Sequence, residues 1–272
     1  MFSPILLILG VAALGLALRS YQQVTLQKLG TFCILGTSFL IGYCSSGSIA
    51  LGLFCAGSWL LLPWLELLTH VRHLRLPQEK NLRRRSAPSS EVFPALEDLS
   101  AELEEEKFAH LSDAGWEWHD QDQFFRLFYR ESDRTQASIC LIEQQDMAFY
   151  YLSVSSRGKD GKIWTTWNYP FSYSLKLPPQ MQINRMRADQ TFLQLLESHR
   201  DFLQRNHITV EDLAVVDEES ATLEIQNDLR KQVAHNLAKG LLKQADATHV
   251  RYSWRGLLFI WLQFLRDFVK LS

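Results

Sequence analysis

The chain has 272 residues, of which 28 are Lys or Arg and 30 are Asp or Glu, for a formal net charge of −2. Its one basic cluster, Arg72–Arg85, directly follows a long apolar stretch, so the rest of the chain carries no electrostatic footprint for nucleic acid, which excludes that class of partner. Its four cysteines include no Cys-x-x-Cys pair, which excludes a disulfide framework and a thiol redox motif.

The first expected element is the apolar run from Phe2 to Leu18. No Lys or Arg precedes it and no small-x-small cleavage site follows, so it reads as a span rather than a signal peptide. From Leu29 to Leu65 there is no charged side chain. As one helix this stretch would be about 55 Å long, nearly twice the ~30 Å of a hydrocarbon core. Ser45-Ser46-Gly47-Ser48 interrupts it with residues suited to a tight turn. The expected arrangement is a helical hairpin, Leu29–Cys44 and Ile49–Leu68. Residues 1–71 then form a transmembrane anchor with spans at 2–18, 29–44 and 49–68, or two spans if the first run does not cross.

Arg19 and Lys28 separate the first two spans, and Arg72, Arg75, Lys80, Arg83, Arg84 and Arg85 follow the last, while the serine turn carries no charge. The excess of Lys and Arg marks the cytoplasmic side. The sequence thus predicts an integral protein of a bacterial inner membrane with its main domain in the cytoplasm. Glu66 and His70 lie at the end of the last span, and no ionisable residue occupies mid-depth, so the helices read as an anchor rather than a transport path.

Residues 72–94 read as a basic, Pro- and Ser-rich linker. Arg72, Arg75, Arg83, Arg84 and Arg85 are its candidate membrane-interface residues, each worth about 1 kcal/mol near an anionic surface. A soluble α+β domain is expected over 95–249. Pro94 suits a first helical position, and Leu96, Leu99, Leu103 and Leu111 predict a helix reaching a cap at Gly115. Phe124–Arg130, Ala137–Glu143, Met147–Ser155 and Lys162–Trp167, rich in aromatic and β-branched residues, predict an antiparallel meander of four or five strands, with Trp116–His119 as a possible opening strand. Helical periodicity returns at Asp189–Arg205 and about Glu218–Gln244. The expected fold is a 4–5-strand meander with helices covering one face.

Residues 250–272 form an amphipathic helix. Trp254, Trp261 and Lys270 mark it as a helix lying in the membrane interface, or else as one packed on the protein's own core or on Ile49–Leu68.

No catalytic, cofactor or metal residue is assigned. His199-Arg200-Asp201, with Asn206 beyond, matches the spacing of the protein-kinase catalytic loop, but it lies in a helical stretch with no glycine-rich loop before it and no Asp-Phe-Gly after it. His199 reads as a hydrogen-bonded core residue. His119, Asp120 and Asp122, and the pair His70 and His73, fall short of a ligand set. Trp164 and Trp167 lie on opposite faces of one strand, and at least one is a candidate binding surface. The chain is therefore expected to be a non-enzymatic, membrane-anchored scaffold or complex subunit, with the lipid bilayer and another protein as partners. The alternative is a membrane-tethered small-molecule or lipid-sensing domain.

Overall fold

The computed structural model describes residues 2–21, 23–118, 121–144, 147–171 and 174–271, and of residues 2, 3, 24, 218, 219 and 267–271 it describes the backbone alone. Three apolar helices come first: α1 (Phe2–Arg19), α2 (Val24–Ser46) and α3 (Ile49–Thr69). Those in the second and third places are long and apolar enough to cross a membrane, whereas α1 is shorter, about 27 Å. α2 begins at Val24 rather than Leu29, so it carries Lys28 in its first turns. The helices break where the serines predict. Gly47 takes the left-handed conformation (φ 69°) and its N–H bonds Tyr43 O at 2.7 Å, a termination that glycine adopts without a steric penalty. At Gly42 the two helices touch so closely that an added Cβ would lie 2.7 Å from Leu51 O.

A two-residue strand, β1 (Leu76–Pro77), and another, β2 (Arg83–Arg84), follow within the basic segment. Next come α4 (Leu96–Glu105), β3 (Ala109–Trp118), β4 (Gln121–Arg130), β5 (Thr135–Gln144), β6 (Met147–Arg157), β7 (Ile163–Trp167) and β8 (Met181–Arg185). The seven strands β2 to β8 make one sheet in sequence order, antiparallel throughout except for the parallel pair β7–β8. The helix expected to reach Gly115 stops at Glu105. Lys107 turns the chain with φ 64°, and both Leu111 and Gly115 belong to β3.

The remaining elements are α5 (Phe192–Arg205), α6 (Glu218–Ala238), β9 (Leu242–Gln244), β10 (His249–Tyr252) and α7 (Trp254–Leu271). Capping boxes start both long helices, Thr191 with Gln194 for α5 and Asp217 with Ser220 for α6. Strands β1, β10 and β9 form a second, three-stranded sheet.

Helices cover both faces of the large sheet, not one. Side chains alternate across a strand, so Phe124, Phe128, Ile139, Leu141, Leu152 and Val154 pack with Leu96, Leu103 and the α5 residues Phe192, Leu195 and Leu196. The alternate set, Phe125, Leu127, Cys140, Ile142 and Tyr151, faces Ala221 and Ile225 of α6. A third core joins the two regions of the chain. Leu67, at the end of α3 and 0 % exposed, packs with Val233 of α6, Leu242, Val250, Tyr252, and Leu257 and Ile260 of α7.

This third core fixes α7. Pro63 within α3 has no N–H to donate, which weakens the helical ladder at that turn. The neighbouring Leu60 carbonyl accepts the indole N–H of Trp261 at 2.8 Å, and Trp261 lies 5.9 Å from Trp64 ring to ring. Leu258 and Leu262 stay exposed on the other side of α7. Of the two expected placements, the structure shows packing on α3, with these two side chains facing outward. Trp261→Phe keeps the ring and loses the N–H. It is expected to weaken docking of α7 by about 1 kcal/mol, seen as faster amide hydrogen exchange confined to α7.

Candidate functional site

A recess lies between the large sheet and α6. Its floor is set by register. Gln136 of β5 sits opposite Tyr129 on one side and Ser155 on the other, Ser155 opposite Thr165, and Thr165 opposite Ile183. In the next row Ser138 faces Ser153, which faces Trp167. These small hydroxyl side chains sit mid-sheet, yet Ser153, Ser155 and Thr165 keep partial exposure, while Leu152, Val154, Ser156 and Thr166 on the opposite face are buried. A cavity of about 170 Å³ remains above them. Its roof is Ile225, Asp228, Leu229 and Gln232 of α6, and Leu177 and Met181 lie at its side.

Two polar fixtures hold α6 above the floor. Arg157, at the end of β6, places Nε 2.6 Å from Glu224 Oε2 and a terminal nitrogen 2.6 Å from Asp228 Oδ2. One turn beyond the cavity, buried Asn236 accepts from the Lys176 N–H at 2.9 Å and donates to Lys176 O at 2.8 Å. These contacts tie α6 to the end of β6 and to the connection that precedes β8. Burial holds the Glu224 carboxyl above the usual carboxylate range, with Arg157 opposing the shift.

The chemistry of the floor is hydrogen bonding. Ser138 and Ser153 share a hydrogen bond of 2.7 Å between their hydroxyls. Cys140 is a buried thiol whose pKa is pushed up to about 11 by desolvation, so it is not a nucleophile at neutral pH. Gln136 and the roof residue Asp228 carry buried side-chain atoms without a hydrogen-bond partner among the described residues. Gln136 is 4 % exposed, and neither its Nε2 nor its Oε1 finds a partner among the described residues. A buried donor and acceptor left unpaired cost about 1–3 kcal/mol each.

A second polar centre lies on the opposite face. His199 of α5 is 1 % exposed, with Nε2 3.1 Å from Ser156 Oγ and Nδ1 3.1 Å from Thr166 Oγ1. Burial pushes its pKa down to about 4. A Ser–His contact of this kind resembles a nucleophile and its base, but all three groups are buried in the α5 core, and the ring is a hydrogen-bonded core residue.

The structure separates Trp164 from Trp167. Trp164 is buried on the α5 face, and Trp167 lines the cavity beside Tyr151 and Tyr169. The basic residues are spread over the segment that follows α3. Arg72 lies 4.7 Å over the ring of Trp254, which is 56 % exposed, and Arg75 is 3.8 Å from Asp246. Arg83 and Arg84 pair through β2 with Gly115 and Ala114, and Arg85 is bound by Asp122. Beside them the Lys80 ammonium sits 4.2 Å over Trp116, and desolvation lowers its pKa to about 8. The Lys270 side chain, His119 and Asp120 lie outside the described residues. His70 contacts Glu66 at 3.1 Å, and among the described residues no three His, Cys, Asp or Glu side chains gather as a metal site.

Sequence reasoning missed Gln136, Ser153, Ser155, Thr165, Arg157 and Asp228. The available signal was the pair of alternations Gln136-x-Ser138 and Ser153-x-Ser155 inside otherwise apolar strands, a pattern that also describes a solvated face. No family model, curated protein or solved structure matches this chain.

Proposed function

We propose that this protein is a membrane-tethered sensing domain that binds a small ligand beneath α6. Three spans, α1 to α3, would hold the α+β region on the cytoplasmic side of a bacterial inner membrane, as the distribution of Lys and Arg requires. The observation that carries the reading is the cavity of about 170 Å³ that α6 roofs over a floor of serine and threonine side chains. α6 supplies the link to the membrane. Its residues Ile225 and Leu229 roof the cavity, and Val233, one turn on, packs with Leu67 at the end of α3. A ligand that fixes α6 would thereby fix the end of the last span, a differential contact of the kind that coupling between two sites requires.

A second reading, a scaffold or complex subunit that engages another protein, is favoured by the exposed apolar side chains Val215 and Leu223 at the start of α6. Native mass spectrometry of the full-length protein in mild detergent separates the two. A discrete bound small molecule supports sensing. A stoichiometric second protein with no small bound mass supports the scaffold.

The orientation has its own test. Ser48→Cys at the turn between α2 and α3 is expected to react with a membrane-impermeant maleimide on intact cells. Labelling seen only after permeabilisation would reverse the topology.

A further inference from the structure

We infer that the polar recess between the basic segment and the edge of the large sheet binds a phosphorylated polyol, free or as the headgroup of a lipid. The recess has a volume of about 470 Å³ and lies between the segment 79–85 and Gly115, Trp116 and Glu117 of β3. It shares no lining residue with the cavity beneath α6. Contacts on both sides hold its shape. Arg83 of β2 pairs with Gly115 of β3, and Arg84 with Ala114. Glu79 lies 3.2 Å from Arg230 of α6, and Asn81 accepts from Gln226 at 2.8 Å. At Gly115 an added Cβ would stand 2.5 Å from Arg85 Cδ. Glycine there lets Arg85 lie against the strand and reach Asp122 and Glu117. The recess is thus pre-formed, as small-molecule sites usually are.

The charges choose the ligand. Arg83 is exposed and makes no hydrogen bond or ion pair among the described residues. Lys80, with its ammonium over the Trp116 ring, has no carboxylate partner there either, and burial without one lowers its pKa to about 8. An anion in the recess would meet a guanidinium whose paired donors match two oxygens of one phosphoryl group. The carboxylates Glu79 and Glu117 also line the recess, each beside an arginine, Arg230 and Arg85, and each more than half exposed. They accept hydrogen bonds and donate none, so the part of the ligand next to them carries hydroxyl groups rather than a second anion. The Asn81 amide nitrogen, left open by the Gln226 contact, donates to a hydroxyl oxygen. Trp116 is buried, with Lys80 and Trp118 packed on it. It leaves no indole face for a ring to stack on, which sets a nucleotide aside. The volume holds roughly fifteen water molecules, the space of a phosphoryl group together with a polyol rather than of a lone phosphate.

The test is calorimetric titration of the full-length protein in phosphatidylcholine nanodiscs, with empty nanodiscs as the blank. The probes are glycerol 3-phosphate, glycerol and inorganic phosphate. Glycerol 3-phosphate is expected to bind at least about tenfold more tightly than either of the others, because each of those lacks one half of the recognised group. Arg83→Gln removes the charge at an exposed position and is expected to weaken glycerol 3-phosphate about tenfold or more. Repeating the titration in nanodiscs that contain phosphatidylglycerol separates the two sources. A lower apparent affinity there identifies a headgroup site and an unchanged one a soluble ligand, and either result upholds the inference. Inorganic phosphate binding as well as glycerol 3-phosphate would overturn the polyol. Binding of no probe, or binding that Arg83→Gln leaves unchanged, would overturn the site. None of these results involves the cavity beneath α6, so a failure here leaves that reading standing.

Discussion

Arg157→Met is expected to cost the folded protein about 3–5 kcal/mol, the penalty for removing one partner of a buried ion pair and leaving the other charges stranded. Arg157 is 11 % exposed, and its partners Glu224 and Asp228 are 29 % and 17 % exposed. Two carboxylates would then face an apolar sulfur, with Lys231, 4.0 Å from Asp228, as the compensating cation among the described residues. For a domain of this size the loss corresponds to a fall in Tm of about 6–20 °C. The informative comparison is Arg157→Met combined with Glu224→Met and Asp228→Leu. Replacing a whole buried ion cluster by apolar side chains is often neutral, so the triple variant should recover most of the lost stability. It should also let α6 settle toward Ser153 and Ser155, reducing ligand uptake without unfolding the domain. Thermal unfolding of both variants in the same detergent checks this. Equal stability of Arg157→Met and the wild-type protein would show that Arg157 does not support α6.

The parts of this fold that were legible in the sequence are those set by one strong local signal. The charge-free stretch after Lys28 yields α2 and α3, and the serine–glycine break falls at the residue whose φ is positive. Strands β4 to β7 stand close to where aromatic and β-branched runs lie between polar turns. Errors arose where a helical stripe continued past its true end. Leu111 prolongs the pattern of Leu96, Leu99 and Leu103, but Lys107 turns the chain with φ 64° and starts β3. Lysine gives no warning of such a turn. Leu241 likewise extends the stripe of Val233 and Leu237, yet Gly240, with φ 69°, follows the end of α6 and β9 begins. That stop was written in the sequence as a glycine. The parallel strand β8 has one β-branched residue, Ile183, and pairs across the long connection from Trp167, so no local pattern announced it. The cavity was hidden for a related reason. Alternating serines and glutamine look like a surface, and only the approach of α6 makes them the lining of a recess.

Lowering the pH from about 6.5 to 5 is expected to remove about 2 kcal/mol of stability through His199 alone. In the folded protein burial pushes this imidazole from 6.5 down to about 4; in the unfolded chain it titrates near 6.5. Between those values the unfolded state holds a proton that the folded state does not. Stability therefore rises with pH across the window and falls as acid is added, by about 1.4 kcal/mol per pH unit. The contribution is complete above pH 6.5 and lost by about pH 4. Ser156 and Thr166 can bond the neutral ring and give an imidazolium no counter-charge, and the nearest opposing influence, Asp133, is already bound by Arg130. The interval from 6.5 to 5 is the informative one, because an ordinary carboxylate is protonated mainly at lower pH. His199→Gln retains a donor and an acceptor for the two hydroxyls and has no proton to gain. It should be less stable than the wild-type protein at pH 7, yet nearly flat between pH 6.5 and 5. Urea denaturation at both pH values measures the difference. A slope that survives unchanged in His199→Gln would place the acid-sensitive group elsewhere. A flat wild-type profile would mean that α5 opens readily enough for the ring to charge in place.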